Sequence, residues 1–204
     1  MKVLKFGGTS VGTVESLKNV KAIVEGQKEP VIVVVSALGG ITDQLINTAR
    51  LAAKGDIAHL ESYAKIVERH HSVIDGIVPE AYKLQVNSIV NPLLEELENI
   101  YRGISLLKDL SERTLDIVVS YGERISSVII SHVINGAQHI DSRNFIKTVK
   151  QWDKHVLDNE ATQPLIHKLF DNLQSKVVVV PGFIASDAEG NVTNLGRGGS
   201  DYTA

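Results

Sequence analysis

Residues 31–40 read VIVVVSALGG, five β-branched apolar residues followed by a short polar and glycine-containing loop. A continuous apolar run of this length is typical of a strand that is buried on both faces of a parallel sheet. Outward from it, residues 3–6 (VLKF) and residues 177–180 (VVVV) predict two further strands, each followed closely by glycine. These three segments indicate the centre of the fold.

Segments with helical spacing of apolar residues separate the predicted strands. Residues 14–24 predict a helix that ends near Gly26, before Pro30. A second helix is predicted to begin near Thr42 or Asp43, since either residue is a suitable N-cap. Repeated strand–loop–helix units predict an α/β fold, an open and mostly parallel sheet with helices on both faces.

The middle of the chain has a different pattern. Residues 56–110 show mostly helical periodicity, and we interpret them as a helical insertion and not as a separate domain. Residues 120–123 (SYGE) are predicted to form a loop that opens another helix, and residues 139–142 a short strand. Residues 187–191 (DAEGN) are a candidate hairpin turn.

Composition narrows the class of protein. The 204 residues carry 21 basic and 24 acidic side chains, for a formal charge of −3, and no half is strongly basic. We therefore expect no nucleic-acid partner. There is no cysteine, no signal-peptide core and no apolar run near the roughly 20 residues of a membrane span. These features predict a cytoplasmic protein without membrane partners.

Histidine and tryptophan provide no catalytic signal. None of the seven histidines forms an H-x-x-x-H or H-E-x-x-H pair, so no metal site is predicted. We expect His70 and His71 to lie on a solvated helix face and Trp152 to be a packing residue. The P-loop and dinucleotide-binding glycine patterns are also absent, which disfavours those two kinds of nucleotide site.

The first candidate for chemistry is KFGGTS, at residues 5–10. Glycines directly after a strand let main-chain N–H groups approach an anion closely, and the hydroxyls add donors. Lys5 adds a positive charge, so the segment is a candidate cradle for a phosphate. A tight strand-to-helix turn with a surface lysine explains the same residues equally well.

Two further candidates contribute polar side chains. Ser36 and Thr42 flank the loop after the buried strand, and ligands in open α/β sheets bind outside the carboxyl ends of strands. Thr42 is equally explained as a helix cap. Glu123 is placed to accept hydrogen bonds from an ammonium group, although a glutamate at a helix start is also favoured by the helix dipole alone.

The most specific local signal is LGRGGSD, at residues 195–201. Three glycines surround Arg197, and arginine suits bidentate contact with a carboxylate or phosphate. A glycine-rich surface loop is the alternative. Residues 201–204 are predicted to begin a helix at which the sequence stops, and we expect a piece of a longer protein.

Together these segments resemble the aspartate kinases of the amino acid kinase family. The matching stretches are KFGGTS at 5–10, VVVSAL at 33–38, SYGERISS at 120–127 and PGFIASDAEGNVTNLGRGGSDYTA at 181–204. They follow the family's order and span nearly the whole chain. GISLL at 103–107 is similar to the bifunctional aspartate kinase–homoserine dehydrogenases in particular.

The resemblance implies transfer of the ATP γ-phosphate to the side-chain carboxylate of L-aspartate. The product, 4-phospho-L-aspartate, begins the synthesis of lysine, threonine and methionine. Mg²⁺ would accompany ATP, and the full-length protein would be a homo-oligomer. Residues 1–204 would be the amino-acid-binding portion of the kinase domain, with the nucleotide half and regulatory domains absent. We therefore expect no turnover from these residues alone.

The resemblance also assigns roles to single residues, which fall into catalytic, phosphate-binding and substrate-binding groups. The catalytic group is Lys5 and Asp201. The phosphate-binding or ATP-binding group is Lys5, Gly7, Gly8, Thr9, Ser10 and Ser36. The substrate-binding group is Thr42, Glu123, Arg197, Gly198, Gly199 and Ser200.

Two other functions remain open at this point. One is an amino-acid-binding regulatory module that keeps the fold without catalysis. The other is a different member of the same family, acting on glutamate, N-acetylglutamate, carbamate or UMP.

Overall fold

The structure, a computed structural model, describes residues 1–152, 154–171 and 173–204. Its strands are β1 (Lys2–Phe6), β2 (Val31–Val35), β3 (Ala137–His139), β4 (Thr148–Gln151), β5 (Lys154–Leu157), β6 (Val177–Pro181), β7 (Ile184–Ser186) and β8 (Val192–Asn194). Its α-helices are α1 (Val14–Glu25), α2 (Ile41–Ala53), α3 (Ala58–Ile77), α4 (Glu80–Leu107), α5 (Glu112–Val133), α6 (Asn159–Phe170) and α7 (Gly199–Thr203).

The central sheet has four strands in the order β1–β2–β6–β3, and every pairing in it is parallel. The carboxyl ends of its strands therefore lie at one edge. Two antiparallel hairpins, β4–β5 and β7–β8, stand outside this sheet. The α/β class, the three core strands and the hairpin turn at 187–191 are confirmed, whereas the β4–β5 hairpin was not predicted.

Alternate residues of β2 enter different hydrophobic cores. Val33 and Val35 pack in the larger core with helices α1 to α5, while Val34 packs in a smaller core with α6. All three side chains are fully buried. The run of valines thus faces helices on both sides, as a two-sided parallel strand requires.

Residues 56–110 form most of the helical layer on one face of the sheet. Helices α3 and α4 pack on α2 and on each other, and α4 also packs on α5. Ile66 and Leu97 are fully buried in the same core as the sheet, and the Tyr101 hydroxyl donates to the main-chain oxygen of Leu45 at 3.1 Å. Whether this layer is an insertion relative to other proteins stays a prediction.

The predicted start of α5 and the predicted N-cap of α2 were wrong. Residues 120–123 are not a loop, because α5 begins at Glu112, with Ser111 as its N-cap, and runs through them without a break. Helix α2 begins at Ile41, and Gly40, at φ 83°, precedes it without a side-chain cap. In both cases residues whose type favours a turn or a cap lie inside the helix: Gly122 in α5, and Thr42 and Asp43 in α2.

Three smaller predictions also fail. The strand predicted at 139–142 ends at His139, because Asp141 caps a 3-10 turn that follows. Trp152 is 96% exposed, at the tip of the β4–β5 hairpin. His70 is fully buried in α3 and not solvated. Among the helices in the described ranges, none has the length and apolarity needed to cross a membrane.

Candidate active site

A cleft of about 360 Å³ opens at the carboxyl ends of β1 and β2, and the first residues of α7 also line it. Ligand pockets typically have volumes of about 300–1,000 Å³, so this one suits a small molecule. The predicted site residues that line it are Lys5, Gly8, Ser36, Thr42, Glu123, Arg197, Gly198, Gly199, Ser200 and Asp201. The fold thus brings all four candidate segments together.

Three predicted residues do not line the cleft, namely Gly7, Thr9 and Ser10. They lie in the turn after β1, where the carbonyl of Gly7 accepts hydrogen bonds from the N–H groups of Ser10 and Val11, at 2.9 and 3.2 Å. Their predicted contact with phosphate therefore remains a prediction.

An ion pair closes one end of the cleft. Lys5 Nζ, from β1, lies 2.8 Å from Asp201 Oδ1, from the first turn of α7. The carboxylate remains largely exposed, and the ammonium group is more covered. Asp201 therefore orients Lys5 while leaving the pair accessible to a ligand.

Glycine contacts set the distance between the first two loops. A Cβ atom added to Gly39 would lie 3.0 Å from the carbonyl oxygen of Gly8, and one added to Gly8 would lie 3.3 Å from the carbonyl oxygen of Ala37. Both distances are shorter than ordinary contacts, so larger residues would push the loops apart. The small size of these residues therefore lets the loops after β1 and β2, whose strands are parallel neighbours, touch each other.

Glu123 is the most unusual group in the cleft. Its side chain is only 4% exposed, and its Oε1 accepts a hydrogen bond from the main-chain N–H of Ala37 at 3.1 Å. Within the described residues, Oε2 has no hydrogen-bond partner. Burial raises the pKa of the Glu123 carboxyl to about 7. A buried carboxylate oxygen without a partner is costly, and a cationic ligand would offset that cost.

The helix dipole does not explain Glu123. The residue lies in the middle of α5, eleven positions beyond Glu112, the first residue of the helix. Its position depends instead on close packing, because a Cβ atom on Gly122 would lie 2.7 Å from the Cβ of Ala37. Gly122 therefore lets α5 approach the loop after β2 closely enough for Glu123 to reach Ala37.

Serines join the loops around the cleft. The hydroxyl of Ser36 donates to that of Ser200 at 3.0 Å, which ties the end of β2 to α7. Ser126, from α5, donates its hydroxyl to the main-chain oxygen of Ser36 at 2.8 Å. The N-cap of α2 is Gly40 and not Thr42, so capping does not occupy the Thr42 hydroxyl, and Thr42 lines the cleft.

Arg197 stands in a loop with left-handed glycines on both sides. Gly196 has a φ of 69° and Gly198 a φ of 79°, a conformation that favours glycine. The arginine lines the cleft and is exposed. Its guanidinium supplies the cleft with a second cation, in addition to Lys5, and one suited to a carboxylate.

Sequence reasoning missed part of the lining. Phe183 and the main chain at Ala37 and Gly39 also line the cleft. Phe183 has a φ of 69°, and its carbonyl accepts a hydrogen bond from the N–H of Leu195 at 2.9 Å. The PGF stretch contains it, but an aromatic residue carries no binding signal without knowledge of its neighbours.

The fold and the cleft define an α/β protein with a small cleft at the carboxyl edge of its sheet, lined by both cationic and anionic side chains. The model for the amino acid kinase family matches residues 1–204, so this chain belongs to that family. Among curated relatives, it is 34% identical over 214 residues to aspartokinase 1, chloroplastic, of Arabidopsis thaliana. It is 29% identical over 205 residues to bifunctional aspartokinase/homoserine dehydrogenase 2 of Escherichia coli.

Solved structures agree with these relatives. The chain superimposes on E. coli aspartokinase III in complex with aspartate and ADP with a TM-score of 0.88 and 29% identity. That match covers 100% of this chain and 45% of the other. The sequence matches cover 99% and 98% of this chain, but only 37% of the Arabidopsis protein and 25% of the E. coli bifunctional protein. The chain therefore spans less than half the length of these relatives.

Proposed function

We propose that these residues form the aspartate-binding part of an aspartate kinase. The reaction would transfer the γ-phosphate of ATP to the side-chain carboxylate of L-aspartate and give 4-phospho-L-aspartate. The observation that carries the proposal is one cleft lined by Lys5, Arg197 and a buried carboxylate, that of Glu123. The structure solved with aspartate and ADP, which superimposes on the whole chain, supports it.

The charges of the cleft complement those of L-aspartate. The ammonium group would bind Glu123, whose Oε2 has no partner among the described residues. The guanidinium of Arg197 would bind a carboxylate through two parallel hydrogen bonds. Thr42 and Ser200 would add neutral donors, and both line the same cleft.

Phosphoryl transfer needs alignment and charge stabilisation more than covalent help from the protein. The attacking side-chain carboxylate is already ionised near pH 7, because its reference pKa is about 3.9. No general base is therefore needed. A carboxylate oxygen forms a bond to the γ-phosphorus while the bond from that phosphorus to the β–γ bridging oxygen breaks, and ADP leaves with the electron pair.

Lys5 would offset the repulsion between the attacking carboxylate and the γ-phosphate. Its 2.8 Å contact with Asp201 holds the ammonium group at the end of the cleft. Gly8 lies beside it and would bring main-chain N–H groups near the transferred oxygens. Mg²⁺ would arrive with ATP, bound mainly by phosphate oxygens, and the exposed carboxylate of Asp201 is a hard oxygen ligand of the kind it prefers.

Trapping of the acyl phosphate tests the reaction. Incubation of the full-length protein with Mg-ATP, L-aspartate and hydroxylamine should give aspartyl hydroxamate, detected by its iron complex. L-glutamate, N-acetylglutamate, carbamate and UMP serve as competing acceptors. Hydroxamate from glutamate but not from aspartate would overturn the choice of substrate.

Binding to the 204-residue chain tests the site separately from turnover. Calorimetric titration with L-aspartate should show one site, and binding should be lost in Arg197→Ala and retained in Arg113→Ala, a control at an arginine outside the cleft. Binding without turnover by the full-length protein would support a regulatory module instead.

A cytoplasmic location and a homo-oligomeric state stay predictions. The first two curated relatives are named chloroplastic.

A further inference from the structure

The turn after β1 is held from outside by a side chain of α3. Arg69 donates from Nη2 to the main-chain carbonyl of Gly12. In the part of the chain that the structure describes, no other side chain from outside residues 7–12 donates to a carbonyl of this turn. In those residues, one side-chain hydrogen bond thus links the helical layer to the end of the turn that contains the candidate phosphate cradle.

The peptide unit between Gly12 and Thr13 is held at both ends, and Arg69 provides one of the two hydrogen bonds. The carbonyl of Gly12 accepts from Arg69, and the N–H of the same unit, on Thr13, donates to Ser16 Oγ at 2.9 Å. Thr13 is also the N-cap of α1, and its hydroxyl accepts from the N–H of Ser16. Rotation of this peptide unit would therefore break bonds to two different helices.

Inside the turn, the N–H groups of two successive residues, Gly8 and Thr9, are among the main-chain donors that have no main-chain acceptor in the described ranges. The carbonyl of Gly7 takes the N–H groups of Ser10 and Val11. Successive free N–H groups in a turn form a concave anion site. Their direction depends on how firmly the turn is held at its far end, which is Gly12.

Helix α3 is a rigid support for this contact. Its residues Ile66 and Val73, which flank Arg69 in sequence, are buried in the larger core. A Cβ atom added to Gly76 would lie 2.6 Å from Cγ2 of Val14, so α3 also lies directly against the first turn of α1. Groups held on packed helices are positioned more accurately than groups held by loops.

We propose that Arg69 is a positioning residue for the phosphate site. Its guanidinium holds the turn at Gly12 so that the N–H groups of Gly8 and Thr9 point toward the transferred phosphoryl group. A hydrogen bond from a charged donor is roughly twice as strong as a neutral one, which suits this role. The ligand assignment depends on the proposed function, but the effect on the turn does not.

Amide hydrogen exchange on the 204-residue chain tests the effect on the turn. Arg69→Ala should speed exchange at Ser10 and Val11 about tenfold, which corresponds to loss of one charge-assisted hydrogen bond. Arg69→Lys, which keeps a charged donor, should give intermediate rates. Lys65→Ala, on the exposed face of the same helix, is the matched control and should change nothing at the turn. Unchanged rates at both amides in Arg69→Ala would overturn the proposal.

Ligand affinity tests the link to phosphate. In the full-length protein, calorimetry should show Mg-ATP binding weakened about tenfold in Arg69→Ala and largely restored in Arg69→Lys, while L-aspartate affinity stays within about twofold. Equal loss of both affinities would indicate a structural role and contradict the proposal. If the unaltered full-length protein binds neither ligand, the proposed function fails, and the exchange rates still decide whether Arg69 holds the turn.

Discussion

Glu123 is deeply buried, and its carboxylate has an incomplete set of hydrogen bonds among the described residues. Such buried, partly unpaired charged groups are rare in proteins outside functional sites. Its Oε1 is bound by one main-chain N–H, and the other oxygen is free in the part of the chain described. The group therefore lowers stability in the empty protein, and a bound ammonium would reverse that effect. Strain of this kind concentrates at functional sites.

Glu123→Gln should therefore stabilise the protein and abolish binding of L-aspartate. Burial raises the folded-state pKa from 4.5 to about 7, so the wild type loses stability as pH rises between these values. At pH 8 the variant should gain about 3 kcal/mol in free energy of unfolding, an advantage that shrinks toward pH 4.5. Urea unfolding at pH 5 and pH 8 measures the difference in free energy of unfolding between the variant and the wild type.

Glu15→Gln, at a largely exposed glutamate, is the matched control for that experiment. It should leave both the unfolding free energy and aspartate binding near their wild-type values. A Glu123→Gln protein that is less stable than the wild type at pH 8 would contradict the interpretation of Glu123 as an unpaired buried carboxylate.

Lys5 and Arg197 should differ in their kinetic effects, because one faces the transferred group and the other the bound amino acid. In the full-length enzyme, Lys5→Ala should lower kcat about 100-fold or more, in line with loss of one preorganised donor. Arg197→Ala should mainly raise KM for aspartate. Steady-state kinetics measure both, and a Lys5→Ala enzyme with wild-type kcat would refute the first assignment.

At the scale of elements, close packing of α5 against the loop after β2 is what places Glu123. Gly122→Ala would put a Cβ atom 2.7 Å from that of Ala37 and 3.3 Å from Cδ1 of Leu45. Overpacking of this kind typically costs about 1–3 kcal/mol. We expect that loss in urea unfolding, together with weaker aspartate binding, because α5 must move away from the cleft.

Gly103→Ala provides the control, since a Cβ atom at this position of α4 meets nothing within 4 Å. Alanine favours a helix over glycine by about 1 kcal/mol, so this variant should be somewhat more stable than the wild type. Destabilisation by both substitutions would indicate that glycine has a general role in these helices and not a packing role at residue 122.

At the scale of the whole molecule, the helical layer over the sheet contains a buried histidine. Burial lowers the pKa of His70 to about 4, and its Nδ1 contacts the carbonyl of Ile66 at 2.7 Å. The folded protein therefore binds fewer protons than the unfolded chain between pH 6.5 and 4. Its stability should fall across that interval as pH is lowered.

His70→Leu should flatten this acid dependence. The wild type should lose about 3 kcal/mol between pH 7 and pH 4 through this residue, and the variant should not. His71→Leu, at the neighbouring and less buried position, should keep the wild-type profile. Urea unfolding across the pH range measures the slopes, and equal slopes for wild type and His70→Leu would contradict the prediction.

Local pattern was enough for three of the four strands of the central sheet and for many of the residues that line the cleft. The runs at 31–35 and 177–180 predicted β2 and β6, because a short, continuous run of β-branched apolar residues is typical of a strand covered on both faces. Ser36 and Arg197 were found from their place after strands and among glycines. The start of α5 was missed, because glycine signals a loop in sequence whether it bends the chain or makes room for a neighbour.

The sequence by itself determined the parallel α/β core, the loops at its carboxyl edge and the charged groups on them, since each depends on short-range periodicity and residue type. Only the tertiary structure decided that Glu123 is buried with one oxygen unpartnered among the described residues, that Gly40 and not Thr42 caps α2, and that Arg69 reaches Gly12. Burial and orientation depend on which distant segments pack together, and a single segment does not contain that information.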